Sequence, residues 1–158
     1  MKRFLFKISL VWIILAGLVT DTGCKKGNNE NPPLGYINIT ILPNSTLYQE
    51  LNTVGGWRYL DESDGVDPPS RGLIVYRSSD DQFVAYDRTP PYKPDSCCDS
   101  NQKNCTKLVV GNEFPFVVDT CTGSKYIIYY GTPEEGPSEK PLYKYITEYD
   151  GYTLYIHN

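Results

Sequence analysis

A chain of 158 residues falls within the usual size of one domain, and 40% apolar with 22% charged residues is globular composition, which excludes a disordered chain. The formal net charge of -4 and a sequence pI of about 5.0 leave no basic field to attract a phosphate backbone, and Lys and Arg are scattered outside the N-terminus. Nucleic acid is excluded as a partner on that ground.

The first predicted element is an address. Lys2, Arg3 and Lys7 precede an apolar run from Ile8 to Val19, the order of a signal-peptide core, and Asp21 follows at once. A spanning helix would need roughly 20 apolar residues, so no transmembrane helix is expected after processing. Gly23-Cys24-Lys25 fits the acceptor pattern of bacterial lipoproteins, although Asp21 stands where that pattern has an aliphatic residue. Residues 1–23 therefore read as signal peptide and Cys24 as the lipidated residue; the alternative is cleavage near Gly23 to release a soluble protein. Stable anchoring needs several acyl chains, since one binds only marginally. Residues 24–34, rich in Lys, Asn, Gly and Pro, read as a flexible tether, with the folded domain over 35–158.

Tyr36 to Leu42 alternates Ile37, Ile39 and Ile41 with polar residues, the period-two signature of a half-buried strand. Pro43 to Ser45 break it. Thr46 to Asn52 is predicted as about two turns of helix with Leu47 and Leu51 on one face and Ser45 or Thr46 as cap. Gly55-Gly56 ends that helix, Trp57 to Leu60 is extended, and Asp61 to Ser70 is a polar, Pro-rich loop. Gly72 to Arg77 and Gln82 to Asp87 form a predicted hairpin turned at Ser78 to Asp81. Thr89 to Asn104, with three prolines and two adjacent cysteines, buries too little to order itself and needs covalent ties.

Lys107 to Val110, Glu113 to Val118 and Lys125 to Tyr130 read as short strands, with Gly111-Asn112 as a turn. Thr132 to Pro141 reads as a loop bridging two sheets, since its prolines cannot donate to a ladder. Tyr143 to Tyr149 alternates tyrosines with polar residues and meets Tyr152 to Ile156 across a predicted Asp150-Gly151 hairpin turn. Short strands at close spacing with one helix indicate an all-β sandwich or small barrel.

Export would place Cys97, Cys98, Cys105 and Cys121 in an oxidising compartment, where two disulfides are expected, with 3 connectivities open. Zinc competes, but adjacent Cys97-Cys98 is a poor tetrahedral chelate. Asp80-Asp81, Glu134-Glu135 and Asp61, Glu62, Asp64 lie in turn-like segments where solvated charges are expected. His157, the single histidine, ends a strand, and no catalytic constellation is read from the chain.

The order of parts from Leu73 onward resembles the Rieske iron–sulfur family. The resemblance is carried by Gly123-Ser124-Lys125-Tyr126, by Gly131, by Gly136-Pro137 followed by Pro141-Leu142 and Tyr145, and by Asp150-Gly151. The upstream block, with the Tyr36 strand and the two hairpin strands, is also similar to Rieske-type lipoproteins of gut Bacteroidetes. The likeness implies a Rieske-like β fold of stacked sheets and, at two loops, the four ligands of a two-iron cluster, two Cys and two His. Aligned on those loops, the ligand positions carry Pro90, Tyr92, Asp119 and Thr122, so the cluster-binding residues are absent and no cofactor or metal is expected. A family disulfide between the loops implies Cys121 bonded to Cys97 or Cys98, with the other bonded to Cys105.

These expectations converge on a cofactor-free envelope lipoprotein, on the periplasmic or the surface face of the outer membrane, acting as a binding or structural module. Its membrane contact would be the lipid anchor, and a protein or other envelope partner is open. The alternative is a Rieske-related redox protein using an unrecognised two-iron cluster or a redox-active disulfide.

Overall fold

Ile37, Ile39 and Ile41 all point inward, as period two requires, while Asn38 and Thr40 face out. Residues 38–41 form β1 (Asn38–Ile41), with Ile37 just before it, in a computed structural model that describes residues 34–158. The expected signal peptide, lipidated Cys24 and all of the tether but Leu34 lie outside the described residues. Among the described residues no helix is long and apolar enough to cross a membrane.

The other strands are β2 (Trp57–Leu60), β3 (Leu73–Arg77), β4 (Phe83–Asp87), β5 (Val109–Val110), β6 (Phe116–Val118), β7 (Lys125–Ile127), β8 (Pro133–Glu135), β9 (Lys144–Tyr149) and β10 (Leu154–His157). They form a six-stranded sheet in the order β1-β10-β9-β4-β3-β2 and a four-stranded sheet in the order β5-β6-β7-β8. Every pairing is antiparallel. The protein is all-β.

The β3–β4 hairpin builds a wall with a core on each side. Leu73, Val75, Phe83 and Ala85 join Ile39, Leu60, Tyr145, Leu154 and Ile156 in the larger core, around which the six-stranded sheet curls as a half-barrel. Ile74, Tyr76 and Tyr86 face the other way and pack with Leu108, Val117, Tyr126, Ile128 and Leu142 under the small sheet. This two-sided use explains why all five residues of β3 are buried. Tyr59 ties the sheets at one edge: its hydroxyl accepts from the Val110 amide at 2.8 Å, and the Arg88 guanidinium lies 3.8 Å from the centre of its ring.

Five local expectations need correction, and the first is the strand over Lys125 to Tyr130, which ends at Ile127 because the chain turns over 128–130 and Gly131 donates to the Ile127 carbonyl at 2.7 Å. Thr46–Leu51 is a 3-10 helix with a non-helical residue at Tyr48, and Ser45 makes no side-chain cap bond. Leu51 is buried but Leu47 is exposed, so too few apolar residues face the core to hold a regular α-helix. The segment 132–141 is not all loop, because Pro133–Glu135 pairs with β7 as an edge strand. Proline is tolerated there since the first position of an edge strand need not donate.

The strand expected from Glu113 begins at Phe116, because the chain reverses over 112–115 and Gly111 donates to the Phe116 carbonyl at 2.8 Å. The terminal hairpin turns one residue later than expected. Asp150 pairs with Thr153, and Gly151, at φ +95°, is the first of the two central residues, the place a type II′ turn reserves for glycine. Asp150 Oδ1 accepts the amides of Tyr152 at 2.8 Å and Thr153 at 2.6 Å.

Those amides hold the Asp150 carboxyl below its ordinary pKa. A depressed folded-state pKa means stabilisation that is complete above the unfolded value and is lost as pH falls toward the folded one. Stability measured below about pH 4 is expected to decline less steeply with acid in Asp150→Asn than in the parent chain.

Candidate functional site

Two segments leave the sheets at one end of the small core. One runs from Thr89 to Thr106 between β4 and β5; the other, 119–124, joins β6 to β7. Of the two partners open to Cys121, the structure selects Cys97, 24 residues away, and Cys98 bonds Cys105 across an isolated antiparallel bridge. The segment poor in aliphatic residues is thereby held by one bond within itself and one to its neighbour.

Arg71, just before β3, organises this segment from below. Its Nη1 donates to the carbonyls of Pro94 at 2.7 Å and Thr106 at 3.1 Å. Nη2 pairs with Asp95 Oδ1 at 2.7 Å and lies 3.8 Å from Cys98 Sγ. The guanidinium is a planar fork of fixed donors, so four contacts leave it little freedom. Nothing in the sequence marks Arg71, since a single arginine after a Pro-rich loop has no diagnostic spacing.

Asp87 anchors the start of the same segment. It is fully buried, and its Oδ1 accepts from the amides of Thr89 at 2.8 Å and Arg71 at 3.4 Å. Its Oδ2 accepts from the Tyr145 hydroxyl at 2.9 Å. Burial, and then the Asp87 carboxyl, push the Tyr145 phenol above its ordinary pKa. Period two along β4 could have located it, because Phe83, Ala85 and Asp87 share one face.

The four aligned positions do not form a metal centre. Pro90 is buried and carries no donor; Tyr92 is half-buried, with Lys93 Nζ 5.2 Å from its ring centre. Asp119 is fully buried, with Oδ1 accepting the Cys121 amide at 3.0 Å and Oδ2 the Thr122 hydroxyl. Thr122 Oγ1 is also 3.0 Å from Ser124 Oγ. The loop thus satisfies its own polar groups.

The sulfurs of Cys97, Cys98, Cys105 and Cys121 are all spent on disulfides, and His157 sits on β10 with Nε2 3.7 Å from Glu148 Oε1. These donors do not fit a cluster that needs two thiolates and two imidazoles. Ligand atoms of Asp95, Cys98 and Cys105 lie within 4.8 Å of one another, but both sulfurs there are bonded to each other.

Beside the disulfide segment opens a cleft of about 720 Å³ lined by Asp61, Glu62, Arg71, Lys103, Cys105 and Lys107, among others. Asp61 and Asp64 are used in a reciprocal cap of the 3-10 turn Glu62–Asp64. Glu135 pairs with Lys125 at 2.8 Å, and Ser79 donates to Asp81 at 2.7 Å. The carboxylate clusters are therefore turn and edge groups, exposed except for the half-buried Asp64.

The opposite end of the small sheet carries an aromatic cluster. Tyr129 lies 5.6 Å from Tyr76, 5.9 Å from Phe114 and 6.2 Å from Tyr130 between ring centres. Tyr76 is buried, whereas Phe114, Tyr129 and Tyr130 are 47%, 38% and 73% exposed. Tyr86, Tyr126 and Tyr145 of the strands, by contrast, are core. No protein-family model, curated protein or solved structure matches the chain.

The loop 119–124 is also braced from the far side. Gly136, at φ +90°, brings the chain after β8 so close that an added Cβ would lie 2.6 Å from Ser124 Cα. Gly136→Ala combines a left-handed backbone with a clash against main chain, and a loss of about 2–3 kcal/mol in unfolding free energy is expected by denaturant titration.

Proposed function

We propose that this chain is a cofactor-free, Rieske-like envelope lipoprotein that acts as a binding module. The exposed aromatic cluster carries the binding part of the reading. Rings of Phe114 and Tyr129 standing on a buried Tyr76, with Tyr130 against Tyr129, form an amphipathic surface of the kind enriched in interfaces. The family likeness rests on sequence order. It is supported by a small sheet whose two loops are joined through Cys97 and Cys121. Anchoring through Cys24 would display that sheet at a membrane surface, on the periplasmic or outer face.

Two measurements test the reading separately. Mature domain made under oxidising conditions should be colourless and free of stoichiometric iron; a brown product with two irons per chain sinks the cofactor-free assignment. Envelope components retained on the immobilised domain should be lost from a Phe114→Ser, Tyr129→Ser, Tyr130→Ser variant. Equal retention by both proteins removes the aromatic surface from the function.

A further inference from the structure

We infer that Cys98–Cys105 is a redox-active disulfide that oxidises dithiols entering the cleft beside it, with Cys105 Sγ the atom attacked and Cys98 Sγ the one that leaves. This goes beyond the binding-module reading and rests on neither the family likeness nor the anchor.

Thiol–disulfide exchange requires a thiolate with access to one sulfur, and it quickens as the departing sulfur becomes a better leaving group. The two cysteines of this bond are both half-buried, but their surroundings differ. Cys105 lines the cleft of about 720 Å³, whose wall includes Lys103 and Lys107. Cys98 has the Arg71 guanidinium 3.8 Å from its sulfur. A fixed cation there stabilises a thiolate as it forms, and the carbonyls of Pro94 and Thr106 hold the cation in place. Asp95, whose carboxylate is within 4.8 Å of both sulfurs, opposes it. The other bond is the more structural one: it joins separate loops and closes 24 residues against 7.

The step balances as follows. One thiolate of the dithiol attacks Cys105 Sγ, a donor–Cys105 bond forms, and Cys98 Sγ departs with the electron pair of the broken bond. The donor's second thiol, deprotonated, attacks its own sulfur in the mixed disulfide and releases the Cys105 thiolate. Two electrons pass to the protein, the donor closes to a disulfide, and its two protons end on Cys98 and Cys105.

Brief treatment of the oxidised chain with glutathione, quenched with N-ethylmaleimide and mapped by mass spectrometry, should place glutathione on Cys105 and maleimide on Cys98. Brief dithiothreitol should open this bond while Cys97–Cys121 stays closed. Glutathione on Cys98, or Cys97–Cys121 opening first, overturns the inference. Rates give a second test. A lower pKa on the leaving thiol speeds its departure, so Arg71→Gln should slow exchange and Asp95→Asn should speed it, each severalfold. Arg71→Lys, which keeps the charge, should stay near the parent rate.

A bond that is merely a staple, with Arg71 and Asp95 only ordering the loop, opens faster in both charge-removing variants, and that result refutes the assignment. Should Arg71→Gln fail to fold, the site of attack decides: glutathione on Cys98 rather than on Cys105 overturns the proposal.

Discussion

Replacing Cys97 and Cys121 together by serine lowers the free energy of unfolding by about 3 kcal/mol, read from the denaturant midpoint of the oxidised domain. Closing a loop of 24 residues removes that much conformational freedom from the unfolded chain by the chain-entropy argument. The same reasoning gives about 2 kcal/mol for Cys98→Ser with Cys105→Ser, since that loop spans only 7 residues. The order of the two losses is the sharper result. Finding the Cys98 and Cys105 pair the more costly would mean that Arg71 and the backbone bridge do not keep the segment ordered once its internal bond is gone.

The second large effect is expected at Asp87. Asp87→Ala strips the acceptor from the Tyr145 hydroxyl and the Thr89 amide in a fully buried setting, with the Arg71 amide losing a longer contact. Unpartnered buried donors cost about 1–3 kcal/mol each, so a loss of about 3 kcal/mol is expected. Tyr145→Phe removes one donor only and should cost about 2 kcal/mol. Because both changes cut the same bond, the double variant should be less destabilised than the sum. Additive losses would show that the Tyr145 to Asp87 bond contributes little. Asp87→Ala also loosens the Thr89 end of the disulfide segment, so limited proteolysis should cut within 89–104 sooner than in the parent.

Much of the fold was legible because its strands obey period two. Ile37, Ile39 and Ile41 and the alternating tyrosines of β9 mark their own core face, and Leu73 to Asp87 could hardly be other than a hairpin. The misread elements are those where tertiary contacts overrule local pattern. Leu47 and Leu51 share a helical spacing, yet only Leu51 finds the core. Pro133 looks like a breaker, yet an edge needs no donor from it. Asp150-Gly151 announces a turn, but the partner strand sets the register that places its centre.

The candidate site was legible only in part. Pro90, Tyr92, Asp119 and Thr122 could be read as unfit ligands from residue type alone. Arg71 could not be found, because its role depends on carbonyls at positions 94 and 106 that carry no side-chain signal. The aromatic cluster gathers Tyr76, Phe114 and Tyr129 from three separate segments, which no short-range spacing anticipates.

Because β3 and β4 are lined on both faces by packed side chains, the small sheet has no complete interior of its own: Ile74, Tyr76 and Tyr86 are one wall of its core, while the six-stranded sheet closes the larger core without it. The small sheet should therefore not stay folded once β3 and β4 open, and the ladder amides of Leu73 to Arg77 should be among the slowest to exchange with deuterium. A fragment carrying only the small sheet would lack one wall of its core and should be unstructured by circular dichroism.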